Sequence, residues 1–152
     1  SKKENYQILY ITGNKYYDEF VKDTRFSSNV KILPYLDNLS GLMRNADLVV
    51  TRAGASTISE ILALSKPAIF VPSPYVANNH QYYNAKEIVD ANAGIMIEEK
   101  DLNGEYLYKT VKDVLNDKEK YEIMKMNLKN LGKTDSSEII AKEIREILHE
   151  RY

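Results

Sequence analysis

Asp47-Leu48-Val49-Val50-Thr51-Arg52-Ala53-Gly54-Ala55-Ser56-Thr57-Ile58-Ser59-Glu60 reads as a strand, a turn and the opening of a helix. Residues 47–51 form a nearly continuous apolar run, the pattern of a strand covered on both faces of a parallel sheet. Gly54 has no Cβ, so it permits a tight turn and close approach by a ligand. Helical spacing then runs from 55 to 64. Outward from this unit the same alternation repeats. Strand patterns occupy 6–12, 30–33, 68–71 and 94–97, and helical ones 15–23, 39–46, 79–91, 101–116, 118–131 and 136–149. Strands separated by helices predict βαβ units with right-handed crossovers, an α/β fold. Ligands of such sheets sit beyond the carboxyl ends of the strands, so the residues after Leu33, Val50 and Val71 are where chemistry is expected.

Three segments lie there. In the first, the small residues Ala55, Ser56 and Thr57 leave the first-turn N–H groups of a helix uncovered. Those groups lack intrahelical partners, and the helix dipole favours an anion such as a phosphate or pyrophosphate. Glu60, one turn on, could accept two hydrogen bonds from a ribose diol. The competing reading is that Ser56 or Thr57 caps the helix and Glu60 completes a capping box. The segment is no dinucleotide fingerprint, since the chain nowhere contains G-x-G. The second segment, Pro72-Ser73-Pro74-Tyr75-Val76-Ala77-Asn78-Asn79-His80-Gln81-Tyr82-Tyr83-Asn84, is a proline-restricted loop that enters a helix. Gln81 and Asn84 share a helix face beside His80, and their amides can donate to and accept from sugar hydroxyls. An N-cap asparagine followed by surface polar residues is the alternative. In the third, Leu33-Pro34-Tyr35-Leu36-Asp37-Asn38, a strand-end backbone beside an aromatic ring could meet the edge of a flat base, or Tyr35 and Leu36 could simply pack. The remaining tyrosines are read as core and edge packing.

Composition excludes several classes. The chain has 152 residues, 43% hydrophobic and 28% charged, with a net charge of -1, so it has no basic excess for nucleic acid. It has no cysteine and two histidines, which removes disulfides, thiolate sites and thiol nucleophiles and argues against a His-rich metal site. No D-x-D pair is present to clamp a metal–diphosphate, so neither metal nor cofactor is expected. Apolar runs are far short of a membrane span, and a cytoplasmic, single-domain reading follows.

Arg52-Ala53-Gly54-Ala55-Ser56-Thr57-Ile58-Ser59-Glu60, followed in order by Lys66-Pro67-Ala68-Ile69-Phe70-Val71-Pro72 and Asn79-His80-Gln81, resembles the C-terminal, donor-binding half of the MurG-type glycosyltransferases of bacterial peptidoglycan synthesis. The likeness is densest over 35–94. It implies half of a GT-B enzyme, a Rossmann-like doubly wound parallel sheet lacking its first strand and helix, with residues 1–152 as the donor-binding domain. The implied reaction is inverting transfer of N-acetylglucosamine from UDP-GlcNAc to the lipid-linked muramyl-pentapeptide, lipid I to lipid II. By the same resemblance the Leu36 backbone reads uracil, Ala55, Ser56 and Thr57 cradle the diphosphate, and Gly54, Ile58 and Ser59 belong to the same substrate-binding stretch. Glu60 holds the ribose, and Gln81, His80 and Asn84 take the sugar hydroxyls.

The acceptor site and the catalytic base are expected in an N-terminal half, with the enzyme peripheral at the inner face of the plasma membrane. Self-association is also expected, through an uncovered sheet edge and the helically spaced Ile140, Ile144, Ile147 and Leu148. Other implied readings are a diacylglycerol glycosyltransferase, the separate catalytic chain of a eukaryotic GlcNAc transferase, or a non-catalytic nucleotide-sugar module.

Overall fold

The computed structural model describes residues 6–23, 26–132 and 136–149. Two compact units divide between Leu39 and Ser40. In the first, β1 (Ile8–Ile11) pairs in parallel with β2 (Val30–Leu33), Ile8 opposite Val30 and Ile11 opposite Leu33. The crossover is α1 (Asn14–Asp23). Gly13, at φ 78, makes the turn between β1 and α1 in a region that side chains with a Cβ rarely enter. Phe20 fixes the helix by ring contacts to Tyr10 and Phe26, at 5.0 and 5.4 Å between centroids.

Apart from its first residue, α2 (Leu39–Asn45) belongs to the second unit, with β3 (Val49–Thr51), α3 (Ala55–Leu64), β4 (Ala68–Phe70), α4 (His80–Asp90), β5 (Ile95–Met96), α5 (Gly104–Asn116), α6 (Lys118–Leu131) and α7 (Ser136–His149). Its sheet is parallel in the order β3-β4-β5, with Val49 opposite Ala68 and Ile69 opposite Ile95. The strands expected to share one sheet thus form a pair and a triplet among the described residues. The strand covered on both faces is β4, not β3. Ala68, Ile69 and Phe70 are fully buried, whereas Val50 is 45% exposed. Position explains the difference, because β4 lies between two neighbours and β3 is the edge of its sheet. Met43, Ile58, Ile61, Ala85, Ile88 and Leu128 close the core around β4. Burial raises the pKa of the Tyr121 hydroxyl, which donates to the Asp47 carbonyl at 2.8 Å and holds α6 at the entry to β3.

Helix ends follow local chemistry. Ser65 has φ 47 and ψ 44, its N–H donates to Leu62, and the Lys66 N–H donates to Ile61, a Schellman ending whose left-handed residue is usually glycine. A Cβ there is strained by roughly 1–2 kcal/mol. Ser65→Gly is therefore expected to stabilise the protein by about 1 kcal/mol and raise Tm by about 2–4 °C in a thermal melt, and a lower Tm would contradict it. Lys66 extends over the end of α2, donating to the Arg44 carbonyl at 3.2 Å and to the Ala46 carbonyl, while Pro67 is fully buried. The apolar positions of α7 face out, with Ile140, Ile144, Ile147 and Leu148 all more than half exposed.

Candidate functional site

Helices α3 and α4 begin just past the carboxyl ends of β3 and β4. Gly54 is the N-cap of α3, with no side-chain cap, and the first helical bond runs from the Ile58 N–H to the Gly54 carbonyl at 3.0 Å. Ala55, Ser56 and Thr57 fill the first turn ahead of that bond, so their N–H groups precede the helical ladder. This removes the capping alternative. Ser56 and Thr57 lie inside the helix, and Glu60 is three positions beyond the place a capping box requires. By contrast, α5 and α6 do carry caps: Asn103 accepts from the Tyr106 N–H at 2.9 Å, and Asp117 from the Lys120 N–H at 3.0 Å.

Gly54 is not required for the turn. Its φ of -69 and ψ of 146 are open to any residue, and an added Cβ would approach only Thr57 Oγ1, at 4.0 Å. What its lack of a side chain provides is room. Ile58 is 9% exposed and packs in the core, and its N–H is used, so it anchors the helix start. The Ser59 hydroxyl donates to the Ala55 carbonyl at 3.0 Å. Glu60 is half-buried and has no hydrogen-bond or ion-pair partner among the described residues.

In α4 the asparagine-cap reading is half right. Asn79 is the N-cap, but it sits at φ 51, makes no side-chain cap, and follows Asn78 at φ 54 in a short 3-10 turn (Ala77–Asn79). Gln81 reaches back to the loop, its Oε1 accepting from the Ser73 N–H at 2.9 Å, which leaves its NH2 as the outward donor. His80 Nδ1 lies 2.9 Å from the Ala77 carbonyl, a bond it must donate, so Nε2 of the neutral ring is an acceptor. Asn84 donates to the carbonyl of fully buried Ala53 at 3.1 Å and ties α4 to the entry of α3. The structure thus joins the first two sequence segments through Asn84. Leu36, half-buried in the segment after β2, belongs to the first unit.

Two features escape sequence reasoning. Tyr75 is 86% exposed on the loop after β4, and Tyr83 is 63% exposed on α4, where it meets Tyr82 edge to face at 5.6 Å, so neither belongs to the core. Arg52 Nη1 donates to the Val71 carbonyl at 3.2 Å and to Glu99, in the 3-10 turn after β5. Its position directly after a parallel strand was the available signal. Among the described residues no group of three or more His, Asp or Glu is placed to hold a metal ion. A cleft of about 500 Å³ opens at the amino end of β5, lined in part by Asn92, Gly94, Asp117 and Ile123, and shares no residue with the site.

Comparison with known proteins gives the family and the fold. A Bacillus cytotoxicus protein named UDP-N-acetylglucosamine–N-acetylmuramyl-(pentapeptide) pyrophosphoryl-undecaprenol N-acetylglucosamine transferase is 41% identical over 148 residues, 95% of this chain and 41% of its own. A Bacillus cereus protein of the same name, numbered 1, is 44% identical over 137 residues, covering 88% of this chain and 38% of its own. The chain therefore spans about two fifths of the length of these curated relatives. The crystal structure of Acinetobacter baumannii MurG shares the fold, with a TM-score of 0.79 at 22% identity over 91% of this chain and 41% of that one. So does the glycosyltransferase VinC, solved in complex with dTDP, at TM-score 0.72 and 15% identity over 94% of this chain and 34% of that one. Residues 1–143 match the model described as the glycosyltransferase family 28 C-terminal domain, and the chain belongs to that family.

Proposed function

We propose that the chain is the UDP-GlcNAc-binding part of an inverting hexosyltransferase that converts lipid I to lipid II. The observation that carries this reading is the contrast among helix starts. Among α3 to α6, the helices that follow β3 and β4 start without a side-chain cap, whereas α5, which follows β5, and α6, which follows α5, are capped. The transferase named for the curated relatives supplies the donor and acceptor.

In the reaction an acceptor hydroxyl attacks the anomeric carbon, the bond to the diphosphate oxygen breaks, and UDP leaves. Charge grows on that diphosphate, and the N–H groups of Ala55, Ser56 and Thr57 are fixed before it develops, an arrangement that lowers the barrier without reorganisation. Glu60 takes the ribose diol. Gln81 NH2, His80 Nε2 and Asn84 Oδ1 take the sugar hydroxyls. The base that receives the acceptor's proton belongs to the N-terminal half of the enzyme. Residues 1–152 as one donor-binding domain of a two-domain enzyme, with the lipid-linked acceptor met by the other, belong to the same proposal. So do a peripheral place at the inner face of the plasma membrane and self-association through the exposed positions of α7. Among the described residues no helix is long and apolar enough to cross a membrane.

Calorimetric titration tests the donor assignment. UDP-GlcNAc is expected to bind this chain about five- to ten-fold more tightly than UDP-glucose, the value of roughly one or two hydrogen bonds to the acetamido group. Equal affinities, or no binding of either, would overturn it.

A further inference from the structure

We infer that Arg52 is a positioning residue, held by Glu99, that sets the diphosphate-facing start of α3. This inference rests on the donor-site reading. The Arg52 guanidinium touches the carboxyl ends of three adjacent strands. It leaves the end of β3, bonds the Val71 carbonyl just past β4 at 3.2 Å, and meets Glu99 in the turn after β5. Its backbone leads directly into fully buried Ala53 and the N-cap Gly54. Ala53 is itself held by Asn84, so Arg52 and Asn84 pin the same peptide segment from two sides. The Val71 carbonyl lies at the entry to the Pro72–Ser73 loop that Gln81 holds through Ser73.

Two facts favour a strut over a direct phosphate ligand. Both protein bonds fall on Nη1, which bridges the Val71 carbonyl and the Glu99 carboxylate and so ties two loops to the end of β3. Glu99 also cancels the charge that a phosphate ligand would need. Side-chain exposures of 52% and 28% mean the pair adds little to global stability, so its value lies in local placement. Small displacements of groups that bind a reacting ligand are costly out of proportion to their energy in the fold.

UDP titration of the chain, with thermal melts beside it, tests the assignment. Glu99→Ala should weaken UDP binding about five-fold, with Tm shifted by no more than about 2–4 °C. Glu99→Asp, which keeps the carboxylate, should recover most of the loss. Arg52→Ala should cost about ten-fold, and the Arg52→Ala, Glu99→Ala double variant should lose no more than Arg52→Ala alone, because Glu99 acts only through Arg52. Tighter binding by Glu99→Ala would show that the freed guanidinium meets the phosphate directly and would overturn the inference. So would unchanged binding, or additive losses. If Arg52→Ala does not fold, the two Glu99 variants decide. A wild-type chain that fails to bind UDP overturns the donor site and this inference together, whereas wild-type binding that Glu99→Ala leaves unchanged overturns this inference alone.

Discussion

Phe70→Ala is expected to cost about 3–5 kcal/mol, the usual result of emptying a fully buried aromatic position. Total stability of a domain this size is roughly 5–15 kcal/mol, so the variant should be close to unfolding at 37 °C. Phe70 is fully buried in the central strand, and its ring lies against Gly94, where an added Cβ would fall 2.9 Å from ring atom Cε2 and 3.1 Å from Ile88 Cγ2. That contact makes a second arm. Gly94→Ala alone should destabilise by about 1–3 kcal/mol through overpacking. Combined with Phe70→Leu it should cost clearly less than the two single changes added, since the smaller side chain vacates the space the methyl needs. Urea unfolding followed by circular dichroism measures all four. A loss under about 1 kcal/mol for Phe70→Ala would place the ring outside a packed core.

Glu60→Gln is expected to weaken UDP binding about ten-fold or more while leaving the melting temperature in place. A carboxylate can accept from both hydroxyls of a ribose, and an amide offers one acceptor oxygen. Hydrogen bonds to charged groups are worth roughly 1.5–3 kcal/mol. Stability should not move, because Glu60 is the sixth residue of α3 and caps nothing. 2′-Deoxy-UDP supplies the control. It should bind the wild type more weakly than UDP does, and Glu60→Gln should add less to that loss than it costs with UDP. Unchanged UDP affinity in Glu60→Gln would sink the ribose assignment.

Much of the fold was legible because α/β chains mark their elements with period and punctuation. The helix from Ala55 to Leu64 and the strand from Val30 to Leu33 have the expected bounds. Burial was harder to read, since Val49-Val50 and Ala68-Ile69 look equally apolar and only sheet order makes one pair an edge and the other a centre. At the candidate site, small residues before a helix signalled an anion, but spacing alone could not distinguish an open helix start from a capped one. The backbone conformation of Gly54 makes that distinction. The sequence presents Gln81 and Asn84 as amides able to donate to and accept from sugar hydroxyls. One arm of each is engaged, with Ser73 and Ala53, because those partners become neighbours only when loops from different strands converge. Arg52 was missed for the same reason: its two acceptors are far away in sequence and close in the fold.

The spatial order β3-β4-β5, identical to the order along the chain, bears on how the second unit is made. Among the described residues, β4 and then β5 each find a partner already synthesised one crossover helix earlier, so this sheet can be laid down as the polypeptide leaves the ribosome. No strand has to wait for a distant one or be inserted between two formed neighbours, and the loop closed at each step is short, which keeps the entropic barrier low. The exposed interval of Ala68-Ile69-Phe70, the most apolar strand, lasts only until β5 and α4 emerge to cover it. Until then its apolar residues are the kind of exposed surface that favours aggregation and capture by chaperones.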